Sequence, residues 1–550
     1  MLVPLTMALG SVAEVRHIGL VRGGRGRALG RRNDVFRRAA FCAAAAAFSV
    51  FPARAEPAPT INYTTYSDEQ LAVELETALK SESPDWCGVL EPLTRQMETR
   101  GTFDRRVGVL AVYSDMVCAY EEERWADAYQ LMGVVERRMG RPLDFPMSIL
   151  ILQRAGHDEV AKDRFLAFVD AAAAKGVTRE QSLFVWDFAR SYAKAKQPER
   201  RLALFRELLK PERREKFDML TVEGMASQLF KWEVEAGNID AARALLPELT
   251  SPITVLSTLG DRRFAALWPD IEARAGKNMA TVINALVDQR KSWFDADREN
   301  DEALKELAEA YVYAGRFDDA VALVSSREPA ADAYGALTED MAWALSAKIR
   351  ALDATGRRAD ADAIYERMAS VDPGDGKGWI VNFVINRAIR LVGIGENERG
   401  LIATDMAGKI AENHGNDYAR ALVRRTRICA LAGLGRNDEA KALLAEAVAH
   451  SDDSRSSAVQ AMLCVGANDE AAKAANAMLA DSVQAGEMIE DMQPADFSLY
   501  SNESVLPNAE TRLRRRPDVA SQFLKVARDI PRDFVPLFSL RRAERRAATP

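Results

Sequence analysis

Apolar positions recur at three- and four-residue spacing along this chain, while alternation with a period of two is scarce. The clearest stretch is residues 303–324, ALKELAEAYVYAGRFDDAVALV. Leu304, Leu307, Ala308 and Tyr311 fall on one helix face, and Phe317, Ala320 and Val324 open a second. Gly315 separates them, since glycine takes positive φ without steric cost. The pattern predicts two helices joined by a tight turn, with Ala320 where they approach most closely. Glycine followed five residues later by a small residue repeats this signature at Gly156/Ala161, Gly237/Ala242, Gly356/Ala361, Gly395/Gly400, Gly435/Ala440 and Gly466/Ala471. Two versions without glycine are read at Trp125/Ala128 and Pro198/Ala203. Each hairpin has an apolar face too wide to cover alone, so neighbours must stack.

This spacing divides the chain. Residues 1–55 are set apart as a signal segment and 56–66 as a flexible arm. Residues 67–275 are irregular helical hairpins, opened by Ser67 with Gln70 as a capping box. Residues 276–480 form the regular array. Residues 481–550, cut by Pro494, Pro507, Pro517, Pro531 and Pro536, are a C-terminal cap and basic tail.

The order large, small, Tyr, Gly, aromatic, Ala in 303–324 resembles the tetratricopeptide repeat. The resemblance implies an all-α, right-handed superhelical solenoid of antiparallel hairpins that binds rather than catalyses. The intervals from Gly315 onward are 41, 39, 40 and 31 residues against the family's 34, so most units are longer. In this family the first helix of each pair lines a concave groove. Carried onto this sequence, the groove residues are Lys305, Glu309, Tyr313, Trp343, Arg350 and Asn386. They suit a protein partner or an extended peptide or polymer. The same register puts Cys429 and Cys464 on consecutive first helices, either as a staple or as two buried thiols.

Composition places the array outside the cytoplasm. Residues 16–38 hold eight arginines, followed by the apolar run 39–51 and Ala53-Arg54-Ala55, the layout of a secretory signal cleaved near Ala55. The first 55 residues carry nine Arg and two acids, net +7, which leaves −14 on the remainder of a chain whose total is −7. So acidic a body argues against nucleic acid. Residues 511–550 are again +7, from eleven bases and four acids, and offer a peripheral membrane contact. An even number of cysteines after cleavage favours disulfides in a periplasmic or secreted protein. Cys87 and Cys118 lie about equally far on either side of the turn at residues 100–102, so antiparallel helices bring them side by side.

No hydrolase triad motif, H-E-x-x-H or C-x-x-C occurs, and the four histidines lie at no metal-ligand spacing. Gly374-Asp375-Gly376-Lys377 lacks the first glycine of a phosphate loop. Residues 295–306 place acids at calcium-loop spacing, but Asn300 replaces the required glycine, so a solvated helix-capping loop is expected. The sequence thus predicts no catalytic, cofactor or metal site. The expectation is an exported scaffold that mediates protein or polymer interactions in the envelope. The alternatives are the helical scaffold of a cell-wall enzyme or a membrane-associated assembly factor.

Overall fold

The computed structural model describes residues 62–80, 86–101, 105–143, 146–374, 377–493 and 504–539. The signal segment, most of the arm, residues 375–376 and the arginines at 541–546 lie outside them. Every regular element described is helical, and the only β contact among the described residues is an isolated bridge between Asp261 and Ala527. No helix among the described residues is long and apolar enough to cross a membrane.

The hairpins share one turn. Gly156, Gly237, Gly315, Gly356, Gly395, Gly435 and Gly466 all have positive φ. In each case the next residue's N–H reaches back to the carbonyl six residues into the turn, as in Arg316 to Tyr311 (2.8 Å) and Glu396 to Leu391 (2.9 Å). This is the Schellman closure, which satisfies carbonyls orphaned at the helix end. The turns without glycine use the same geometry. Glu123 (φ 56°) precedes the Arg124 N–H bond to Ala119, and Lys196 (φ 55°) precedes the Gln197 bond to Tyr192, both 2.8 Å. The next helix starts two residues after the positive-φ position, and the small residue three later is fully buried at Ala128, Ala161, Ala242, Ala320, Ala361, Ala440 and Ala471. Ala203 is the exception. It is exposed, because Lys196 and not Pro198 sets the register, and the equivalent position is Arg201.

The chain divides between Val222 and Glu223 into two compact units. In the first, Tyr63, at the end of the segment expected to be an arm, is buried and meets Tyr66 edge-on. Ser67 and Gln70 cap the helix Asp68–Lys80 reciprocally, at 3.2 and 2.8 Å. A disulfide joins Cys87 on helix Trp86–Arg100 to Cys118 on helix Arg105–Glu121, with Cα atoms 5.5 Å apart.

In the second unit the helices pack in sequence. Helix Asp301–Tyr313 lies against its own partner, Phe317–Ser325, and against the next first helix, Glu339–Thr355. Helix Asp417–Gly433 repeats this with Asn437–Ala449 and Arg455–Cys464, where Cys429 and Cys464 form a second disulfide, Cα atoms 5.1 Å apart. Two disulfides are the chemistry of an oxidising, extracytoplasmic compartment.

The chain's end does more than cap the last hairpin. Residues 504–539 run back over the second unit. Val505 donates to the Gly393 carbonyl (2.8 Å), and the Gln460 amide donates to the Pro507 carbonyl (2.7 Å). Helix Pro517–Val526 buries Val519 and Phe523 against the helices 468–480 and 485–491. Arg528 then crosses to the start of the unit. Its guanidinium stacks 3.6 Å from the Trp268 ring centroid, donates to the Leu259 carbonyl (2.8 Å) and pairs with Glu272 (2.6 Å). Gln493 completes the tie, donating to the Arg528 carbonyl and accepting from the Ile530 N–H, both at 3.0 Å. Helices Pro252–Gly260 and Ala485–Asp491 also touch. The early and late hairpins of this unit are therefore strapped together.

Candidate functional site

The six residues expected to line an open groove are all buried. Lys305 is 2% exposed and ion-paired to Asp340 (2.8 Å) on the next first helix, with Glu306 at 3.5 Å. Burial alone would push its pKa down, but Glu306 and Asp340 outweigh it and hold the ammonium above the usual lysine range. Arg350 pairs with Glu309 at 2.9 Å. Tyr313 meets Phe538 of the returning C-terminal segment edge-on, centroids 5.1 Å apart, and burial pushes its hydroxyl far up. Trp343 packs on Phe383 (4.7 Å) and its indole N–H donates to Glu339 (3.3 Å). Asn386 is buried as well. Neighbouring first helices approach so closely that charges on this face close on each other rather than wait for a ligand. Arg290 with Glu223 and Glu306, and Arg390 with Asp353 (2.6 Å, two bonds) and Asp362, follow the same rule.

One part of this face does not follow it. Lys231 on helix Met219–Glu235, Tyr418 and Arg425 on helix Asp417–Gly433, and Glu490 and Asp491 on helix Ala485–Asp491 influence one another electrostatically. None of the five side chains makes a hydrogen bond or ion pair among the described residues, although Arg425 is only 6% exposed. Burial is the leading cause of each shift. It lowers Lys231 and Arg425, raises Tyr418 to about 12 and Glu490 to about 7, and raises Asp491 well above the usual carboxylate range. Lys231 tempers the shift of Glu490 without cancelling it, while Glu487 adds to that of Asp491.

Unlike the paired arginines, these side chains show perturbed titration without a direct partner among the described residues. Arg425 could have been found from the sequence. It stands ten residues before Gly435, as Lys305 stands ten before Gly315. Lys231, Glu490 and Asp491 have no such signal, because they meet only when the two ends of the unit come together. No group of residues suited to holding a metal ion occurs among those described.

What the fold and site define is an all-helical protein of sequentially packed helices with two disulfides and buried ion pairs between neighbouring helices. No protein-family model matches the sequence, and no curated protein is similar to it.

Proposed function

We propose that this is an exported, tetratricopeptide-like solenoid that binds a protein or extended polymer in the cell envelope, with no catalysis of its own. The observation that supports it most is how residues 531–539 lie on the array. They contain only short 3-10 turns, yet they dock through the Asn278 amide on the Val535 carbonyl (2.8 Å) and through Phe538 on Tyr313. A surface that holds an irregular segment by backbone hydrogen bonding and an aromatic contact suits extended peptides in general. The signal-like N-terminus, the acidic body and the disulfides favour a periplasmic or secreted site of action.

The test is a mature chain ending at Ile530, offered a labelled peptide of residues 531–539. Saturable binding that is weakened by Tyr313→Ala is expected. Absence of binding by a folded truncation would remove the reading. Phe538→Ala in the full chain serves as a milder opening of the same surface and should allow the added peptide to compete.

A further inference from the structure

We propose that residues 531–539 are a built-in competitor for the face they cover. The partner of that face is then a segment with a branched apolar residue and an aromatic residue three positions later, in the register of Val535 and Phe538. This rests on the peptide-docking reading above. It adds what the peptide must carry and why the free chain holds the site closed.

The returning segment shows which of its residues the face reads. Arg532 and Asp533 are exposed and Phe534 and Leu537 only partly covered, whereas Val535, Pro536, Phe538 and Ser539 are buried. Val535 and Phe538 join the apolar cluster that holds Met279 and Tyr313. The Ser539 N–H closes a turn on the Pro536 carbonyl (3.0 Å), which shortens the chain so that two side chains three positions apart enter one cluster. Pro536 has no N–H, so its burial leaves no donor unpaired. The segment's two charged residues stay in water, so the contact selects shape and apolarity rather than charge.

The covered face supplies a matching pair of anchors. Asn278 and Met279 both have positive φ (53° and 57°), and Met279 is fully buried. Two successive L side chains in this region cost energy that the surrounding packing must hold, and such strain gathers where a ligand is gripped. Here the strained turn aims the Asn278 amide at the Val535 carbonyl (2.8 Å). Tyr313, at the end of helix Asp301–Tyr313, provides the second anchor, edge-on to Phe538 with centroids 5.1 Å apart. An amide donor and a ring are thus fixed at one separation, and an insertion between the two ligand residues would put one of them out of reach.

Arg528 and Gln493 hold the chain just before this segment. Tethering of this kind keeps a local concentration on the order of millimolar. A partner therefore competes only if it binds more tightly than the segment or if one of the segment's anchors is loosened.

The experiment is fluorescence anisotropy with the mature full chain and three labelled peptides. One is residues 531–539 unaltered, one carries Phe538→Ala, and one has an alanine inserted between Val535 and Pro536. The unaltered peptide should bind the Phe538→Ala chain at least about ten-fold more tightly than the wild-type chain. The two altered peptides should bind that opened chain at least about ten-fold more weakly than the unaltered one. Val535→Ala in the chain, a smaller truncation at the other anchor, should tighten binding of the unaltered peptide in the same direction. Adding Asn278→Ala to the Phe538→Ala chain should weaken it. Equal binding of all three peptides would overturn the proposal and leave general peptide docking standing. Equal binding of the unaltered peptide to the wild-type and opened chains would overturn it too, since the segment would then not compete. Binding of no peptide to either opened chain would remove the peptide-docking reading as well.

Discussion

Two residues hold the hairpin turn in the left-handed region without being glycine. Glu123 and Lys196 adopt φ of 56° and 55°, where an L side chain crowds the following carbonyl. Replacing either by glycine should stabilise the protein by about 0.5–1 kcal/mol, seen as a higher urea midpoint with an unchanged slope. The opposite case is Gly400, where a Cβ would stand 2.5 Å from Val392 Cγ2 and 3.2 Å from its backbone N. Gly400→Ala should cost about 1–3 kcal/mol by thermal denaturation, since the close packing of two helices has no room to yield. The glycine turns were readable because residue type announces the conformation. Lys196 was not, since lysine carries no such signal, and counting from Pro198 misplaced the small residue at Ala203. The ion pairs of Lys305 and Arg350 were also hidden. Their positions on one face followed from spacing, but whether that face is open depends on how sharply the array curves, which no single helix encodes.

At the scale of the helix, the long-range ties differ in how far the sequence reveals them. Cys87 and Cys118 could be paired because two antiparallel helices of known rise place them at one level. Cys429 and Cys464 depend on the stacking of successive first helices, so spacing left them open. Their disulfide borders an apolar cluster of Val392, Cys429 and Ala430, with Leu506 of the returning segment packed on it. Replacing both cysteines by serine should cost about 2–4 kcal/mol. It should also speed amide exchange at Val505, whose N–H bonds to Gly393 beside this cluster. Unchanged exchange at Val505 would show that the staple and the strap are independent.

Within the second unit, early and late elements meet where Lys231 and Asp261 face Glu490. The pKa of Glu490, about 7, lies above its ordinary 4.5, so the folded state holds a proton that the unfolded chain releases. Its stabilising contribution is full below the unfolded value and is lost as pH rises through about 7. Glu490→Gln should therefore raise the thermal midpoint at pH 8 and change it little at pH 4.5. The strap of residues 504–539 was the least legible feature of the molecule. Its prolines suggested only that helices end, while its anchors, Gly393, Gly260 and Gln493, carry no mark of a partner far along the chain. This strap joins the early and late elements of the unit and occupies the face next to Tyr313. Hydrogen exchange at Val505, Arg528 and Ile530 tests it most directly, since their N–H groups donate to Gly393, Gly260 and Gln493. Protection comparable to that of the buried helix Asp301–Tyr313 is predicted, and exchange at the rate of an unstructured chain would contradict it.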